Sequence, residues 1–134
     1  MRRTTASINP ALSHAIESAG HTDLIVIADA GLPIPPGSER IDLAYRPGAP
    51  AFLDVLDTVL AELVVERATV ATETAQHSPG ILAALHERLD ALGVPIEQVP
   101  HEELKRLSRA ARTFVRTGEY TPYANVILHA GVPF

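Results

Sequence analysis

The chain has 134 residues, no cysteine and a formal net charge of −5, a length that suffices for one ordinary domain burying roughly two-thirds of its unfolded surface. The missing cysteines exclude disulfides and thiolate metal sites and fit a reducing, cytoplasmic setting, and the acidic balance leaves no electrostatic footprint for nucleic acid. Arg2 and Arg3 open the chain as a signal peptide would, but no apolar stretch follows and no apolar run approaches the roughly 20 residues of a membrane span, so a soluble, unexported protein is expected.

In chain order, Asn9-Pro10 reads as an N-cap followed by proline at the first helical position, and Leu12, Ile16 and Ala19 recur at helical spacing until Gly20 stops the helix. His21 follows in a turn. Leu24 to Ala28 is continuously apolar and β-branched, as a strand covered on both faces is, and Asp29-Ala30-Gly31 breaks it. Proline-rich Leu32 to Gly37 is loop, and Ile41 to Ala44 is a candidate second strand. Pro50 opens a helix whose broad apolar face carries Phe52, Val55, Leu56, Val59, Leu60 and Leu63. Val64 to Ala71 has strand character, and Ser78-Pro79 starts a helix that runs to about Leu92 and stops at Gly93. Pro95 to Val99 is a short strand, and His101 to about Val115 is a helix with Glu102 and Glu103 in its favourable first turn. Arg106, Arg109, Arg112 and Arg116 then fall on a solvated helix face, and Asn125 to His129 is the last strand. Strands separated by helices predict an α/β fold: a single layered domain over residues 1–134, with a largely parallel central sheet flanked by helices.

Absences bound the chemistry. Six histidines invite a metal site, but there is no HxH pair, and His86-Glu87-Arg88-Leu89-Asp90 lacks the second histidine of HExxH. Gly31, Gly37 and Gly48 fit no phosphate-cradling motif, and a serine nucleophile elbow is missing. Proton transfer is the simplest reaction left, and histidine serves it near neutrality.

Two runs concentrate polar groups at strand ends. GHTDLIVIADAGLPIP, from Gly20 to Pro35, sets His21 and Asp29 at opposite ends of one strand; GEYTPYANVILHAG, from Gly118 to Gly131, sets Tyr123 and Asn125 just before another. Ligands of open α/β sheets bind beyond the carboxyl ends of strands, so two polar mouths suggest a small polar ligand. Each residue also has a plainer reading: His21 as a cap on the preceding helix, Asp29 as a turn former for the amides of Ala30 and Gly31, His101 as a first-turn residue, Tyr123 and Asn125 as turn residues after Pro122. Alternation along an extended Tyr123 to Asn125 segment would instead aim both side chains at one ligand. His14, His77 and His86 receive no role.

These two runs, together with VPHEELK around His101, resemble the family of ribose pyranases and fucose mutarotases, in order and over essentially the whole chain. The resemblance implies interconversion of the pyranose and furanose forms of D-ribose in the cytoplasm, with no metal and no organic cofactor. It further implies a ring-shaped homo-oligomer, a decamer of two pentamers, with no nucleic-acid or membrane partner. It makes His21 the catalytic proton donor and Asp29, His101, Tyr123, Ala124 and Asn125 the sugar contacts. GLPIP at Gly31 to Pro35 and the Tyr123-Ala124-Asn125 triplet are closer to the ribose branch than to the fucose branch. Opening a hemiacetal requires a proton delivered to the ring oxygen and one removed from the anomeric hydroxyl, with Asp29 or His101 as candidates for the base. The alternatives are a mutarotase for fucose or another monosaccharide, and a non-catalytic sugar-binding module.

Chain geometry constrains this reading. An extended path from His21 to Asp29 spans up to roughly 26 Å at about 3.3 Å per residue, more than one pentose can bridge. Either the turn at Gly20 to Asp23 folds back along the strand, or two protomers build each site.

Overall fold

The computed structural model describes residues 6–134, so Arg2 and Arg3 lie outside the described residues. Its first helix, α1 (Pro10–Ser18), starts where the Asn9 side chain accepts a hydrogen bond from the Leu12 amide at 2.9 Å, with Pro10 in the first turn. Then come β1 (Leu24–Ala28), β2 (Glu39–Asp42), α2 (Phe52–Glu62), β3 (Val65–Ala71), α3 (Thr72–His77), α4 (Pro79–Ala91), β4 (Ile96–Val99), α5 (His101–Ser108), β5 (Thr113–Arg116) and β6 (Val126–Ala130). The strands form one six-stranded sheet in the order β2-β5-β1-β6-β3-β4. Pairings β2–β5, β5–β1 and β3–β4 are parallel, and β6 runs antiparallel to both its neighbours, β1 and β3.

Both faces of the sheet are covered, which explains the unbroken apolar run of β1. Ile25 and Ile27 point into the larger core, with Leu12 and Ile16 of α1, Phe52, Leu56 and Val59 of α2, and Leu85 and Leu89 of α4. Val26 and Ala28 point the other way, into a smaller core with Phe114, Ile127 and Leu104 of α5. Alternate residues of one strand thus serve two cores. Among the described residues no helix is long and apolar enough to cross a membrane.

The structure departs from the sequence reading at four places. The helix expected from His101 to about Val115 ends at Ser108, and Thr113–Arg116 is instead the strand between β1 and β2. No glycine or proline marks that stop, and the β-branched Thr113-Phe114-Val115 run is drawn into the sheet by pairing on both sides. Arg112 and Arg116 therefore leave the supposed helix face; Arg116 instead reaches the Ala30 carbonyl and the Asp42 carboxylate. The second strand lies at Glu39–Asp42 rather than Ile41 to Ala44, in register with β5 and with Thr113 Oγ1 donating to Glu39. α2 starts at Phe52 rather than Pro50, because the Phe52 amide is capped from afar by Glu119 at 3.0 Å. The short helix α3 has no counterpart in the sequence reading.

Candidate functional site

The sheet's directionality decides what can meet. Five strands run one way and β6 the other, so the residues after β1, β3, β4 and β5 share an edge with those before β6. Asp29, Glu73, His101, Glu119 and the Tyr123-Ala124-Asn125 triplet all stand on that edge.

Asp29 and Asn125 lock each other. The Asp29 amide donates to Asn125 Oδ1 at 2.8 Å, and Asn125 Nδ2 donates to Asp29 Oδ2 at 3.1 Å. The other Asp29 oxygen accepts from the amides of Gly31 and Leu32, so the turn-forming reading of Asp29 holds, one residue further along than expected. Asn125 is 1% exposed and Ala124 is fully buried. Beside Asp29, a polar cleft of about 350 Å³ is lined by Ala30, Gly31, Arg116, Glu119 and Tyr120. Burial alone would raise the Glu119 carboxyl, but hydrogen bonds from the Phe52 amide, the Thr121 hydroxyl and the Thr121 and Tyr120 amides outweigh it and hold that carboxyl below the usual range. A slightly larger cavity of about 370 Å³, between α1 and α2, holds none of these groups.

Tyr123 and Asn125 do not lie on one extended segment. Tyr123 has φ 61°, a left-handed backbone rare outside glycine, which breaks the alternation of an extended segment. The ring meets His101 edge-on at 5.0 Å between centroids, and His77 at 5.4 Å. The His101 ring makes no hydrogen bond among the described residues, and its Nδ1 is buried without a partner. His77, given no role from sequence, is thus part of this corner; its helical surface position offered no signal for it.

His21 is elsewhere. The turn at Gly20 to Asp23 does not fold back: Thr22 donates to the Ala130 carbonyl, at the far end of β6. At about 3.3 Å per residue along β6, that places His21 on the order of 17 Å from Asn125. His21 Nε2 lies 2.9 Å from Glu66 Oε2, so the half-exposed side chain pairs with β3 rather than capping α1. Thr22 beside it has φ 73°, a strained conformation for a β-branched residue. Among the described residues no group of three or more His, Asp or Glu is arranged to hold a metal ion.

The chain matches the model of the RbsD / FucU transport protein family over residues 2–133. It is 61% identical over 127 residues to the D-ribose pyranase of Laribacter hongkongensis, with 95% of each chain covered. It is 58% identical over 134 residues to that of Symbiobacterium thermophilum, with 100% of each covered. Bacillus subtilis RbsD complexed with D-ribose has the same structure, with a TM-score of 0.93 and 42% identity over 98% of this chain and 99% of that one. The fold extends to the fucose mutarotase of Streptococcus pneumoniae, at a TM-score of 0.80 and 24% identity over 98% of this chain and 99% of that one. The chain belongs to the RbsD / FucU family.

Proposed function

We propose that this protein is a D-ribose pyranase, an enzyme that interconverts the pyranose and furanose forms of D-ribose by acid–base ring opening and closure, using neither metal nor organic cofactor. The observation that carries the proposal is identity of 58% along the full chain with a D-ribose pyranase. The polar sheet edge with Asp29, His101, Tyr123, Ala124 and Asn125 supplies a place for the sugar.

Ring opening moves two protons. His21 gives one to the ring oxygen from Nδ1, while Glu66 holds Nε2 and fixes the ring's orientation. Of the two candidates for the base, His101 is favoured. Asp29 already spends its oxygens on Gly31, Leu32 and Asn125, whereas the His101 ring carries no competing hydrogen bond among the described residues. Tyr123 and the Asp29–Asn125 pair hold the remaining hydroxyls, and closure through a different hydroxyl changes the ring size. Acid–base catalysis of this kind is worth about 10²–10⁴-fold, enough for a reaction already measurable in water.

Because His21 and the other groups stand at opposite ends of one sheet, each site is completed by a second copy that brings its His21 to the first copy's Asp29 edge. Heterologous contacts of this kind close into rings. The working particle is a ring-shaped homo-oligomer, a decamer of two pentamers, located in the cytoplasm, with the whole chain serving as one sugar-handling domain.

The test is proton NMR saturation transfer between ribopyranose and ribofuranose with catalytic amounts of protein, with fucose anomers and His21→Ala as controls. Ribose exchange that vanishes in His21→Ala is the expected result. Exchange of fucose alone would move the substrate to the fucose branch, and no acceleration with either sugar from folded protein would leave a binding module.

A further inference from the structure

We infer that the short helix α3 is the frame that sets the sugar-facing geometry, with Glu73 positioning His101 and Thr74 positioning Tyr123. The inference rests on the pyranase reading for the identity of the groups that face the sugar. Neither α3 residue need touch the sugar.

The His101 arm starts from a defect in α5. Pro100 occupies its N-cap and offers no side-chain acceptor, so the first amides of the helix lack a local partner. Glu73 of α3 supplies one: both its carboxylate oxygens accept from the His101 amide, at 3.0 and 3.2 Å. A bidentate carboxylate on that one amide fixes where α5 begins, and with it the Cα from which the imidazole projects. The ring needs such help, because no hydrogen bond among the described residues orients it.

The Tyr123 arm starts from strain. A non-glycine residue in the left-handed region is strained and persists only where its surroundings hold it. Here two hydroxyls grip successive carbonyls: Ser78 Oγ donates to Pro122 O at 2.6 Å and Thr74 Oγ1 to Tyr123 O at 2.8 Å. Thr74 is fully buried and Ser78 nearly so, so water does not replace either hydroxyl readily. His77 at the end of α3 lies against the Tyr123 ring, which meets the His101 ring edge-on. One helix of six residues thus ties together two side chains that the sequence separates by 22 positions (101 to 123).

The two arms predict different kinetic signatures. Glu73→Ala releases the placement of the proton acceptor, so it should lower kcat for ribose exchange by about 10–100-fold, the scale of a roughly 1 Å misplacement, with KM changed less than about 3-fold. Glu73→Gln keeps one oxygen for the His101 amide and should restore most of that loss. Thr74→Val preserves shape but frees the Tyr123 carbonyl, and should raise KM more than it lowers kcat. If Glu73→Ala yields no folded protein, Glu73→Asp, one methylene too short to reach the amide, replaces it. Wild-type kcat and KM in both variants, with only the thermal midpoint lowered, would overturn the inference. Absence of exchange in the wild-type protein would instead sink the pyranase reading. In that event a ribose titration followed on the Tyr123 ring protons decides the role of α3, since Thr74→Val must weaken binding there or the frame does not exist.

Discussion

Removing the Asn125 side chain should cost far more stability than a loop asparagine ordinarily does. Asn125 is 1% exposed and makes two hydrogen bonds to Asp29, one to the amide at 2.8 Å and one to the carboxylate at 3.1 Å. A neutral hydrogen bond contributes about 1 kcal/mol net, one to a charged group about 1.5–3, and an orphaned buried partner adds its own penalty. Asn125→Ala should therefore lose at least about 2.5–4 kcal/mol. Asp29→Ala breaks only the carboxylate half of the pair, because the Asp29 backbone amide still donates to Asn125 Oδ1. The double variant should fall short of the sum of the two singles by about 1.5–3 kcal/mol, the strength of the one carboxylate bond they share. The assay is urea unfolding at one fixed protein concentration, since association would move the midpoint by mass action. Additivity within about 0.5 kcal/mol would refute the locked pair, and with it the argument that Asp29 is too committed to act as the base.

Three more outcomes are expected. A Cβ on Gly118 would run into the backbone of Ala49, so Gly118→Ala should lower the urea midpoint markedly, whereas Gly80→Ala, with open space around it, should not. Thr22→Gly relieves a φ of 73° and should stabilise by about 1 kcal/mol while slowing ribose exchange through a looser His21, read by urea melts and NMR exchange together. His129, hydrogen-bonded to Thr69 and Arg67, is held below the ordinary histidine range first by burial and then by the Arg67 charge. As pH falls the unfolded chain takes up that proton first, so this contribution to stability is full above about pH 6.5 and is lost as pH drops from there through the lower folded value. His129→Gln should flatten the decline in urea midpoint between about pH 7.5 and 5.5 relative to wild type, and an unchanged slope would contradict the assignment.

What the sequence disclosed and what it hid follow one division. α1 was legible because Asn9-Pro10 is a local capping signal, and β1 because a strand covered on both faces needs apolar residues at every position. β5 was hidden because Thr113–Arg116 owes its state to partners 74 and 88 positions back, Glu39 (113 − 39) and Ile25 (113 − 25), with no breaker after α5 to announce it. α2 and α5 are both capped by distant carboxylates, Glu119 and Glu73, and no local pattern encodes a cap from another element. The same limit applies to the site. His21, Asp29, His101, Tyr123 and Asn125 stood out as polar groups at element ends, but the left-handed Tyr123, the grip of Thr74 and Ser78, and the His77 ring contact exist only once β3, β4 and β6 share an edge. The extended-strand expectation carries over: Thr22 bonds to Ala130 at one end of β6 and Asp29 to Asn125 before the other, so His21 and Asp29 stand at opposite ends.

The central claim is that the acid and the sugar-holding groups meet across two copies, and subunit mixing tests it most directly. His21→Ala and His101→Ala proteins, each inactive in ribopyranose–ribofuranose exchange, are unfolded together, refolded as mixed particles and assayed by saturation transfer. Contacts of one kind around a ring give about one interface in four an intact His21 facing an intact His101, so about a quarter of wild-type activity should return. Mixed particles that stay as inactive as either parent would contradict the shared site.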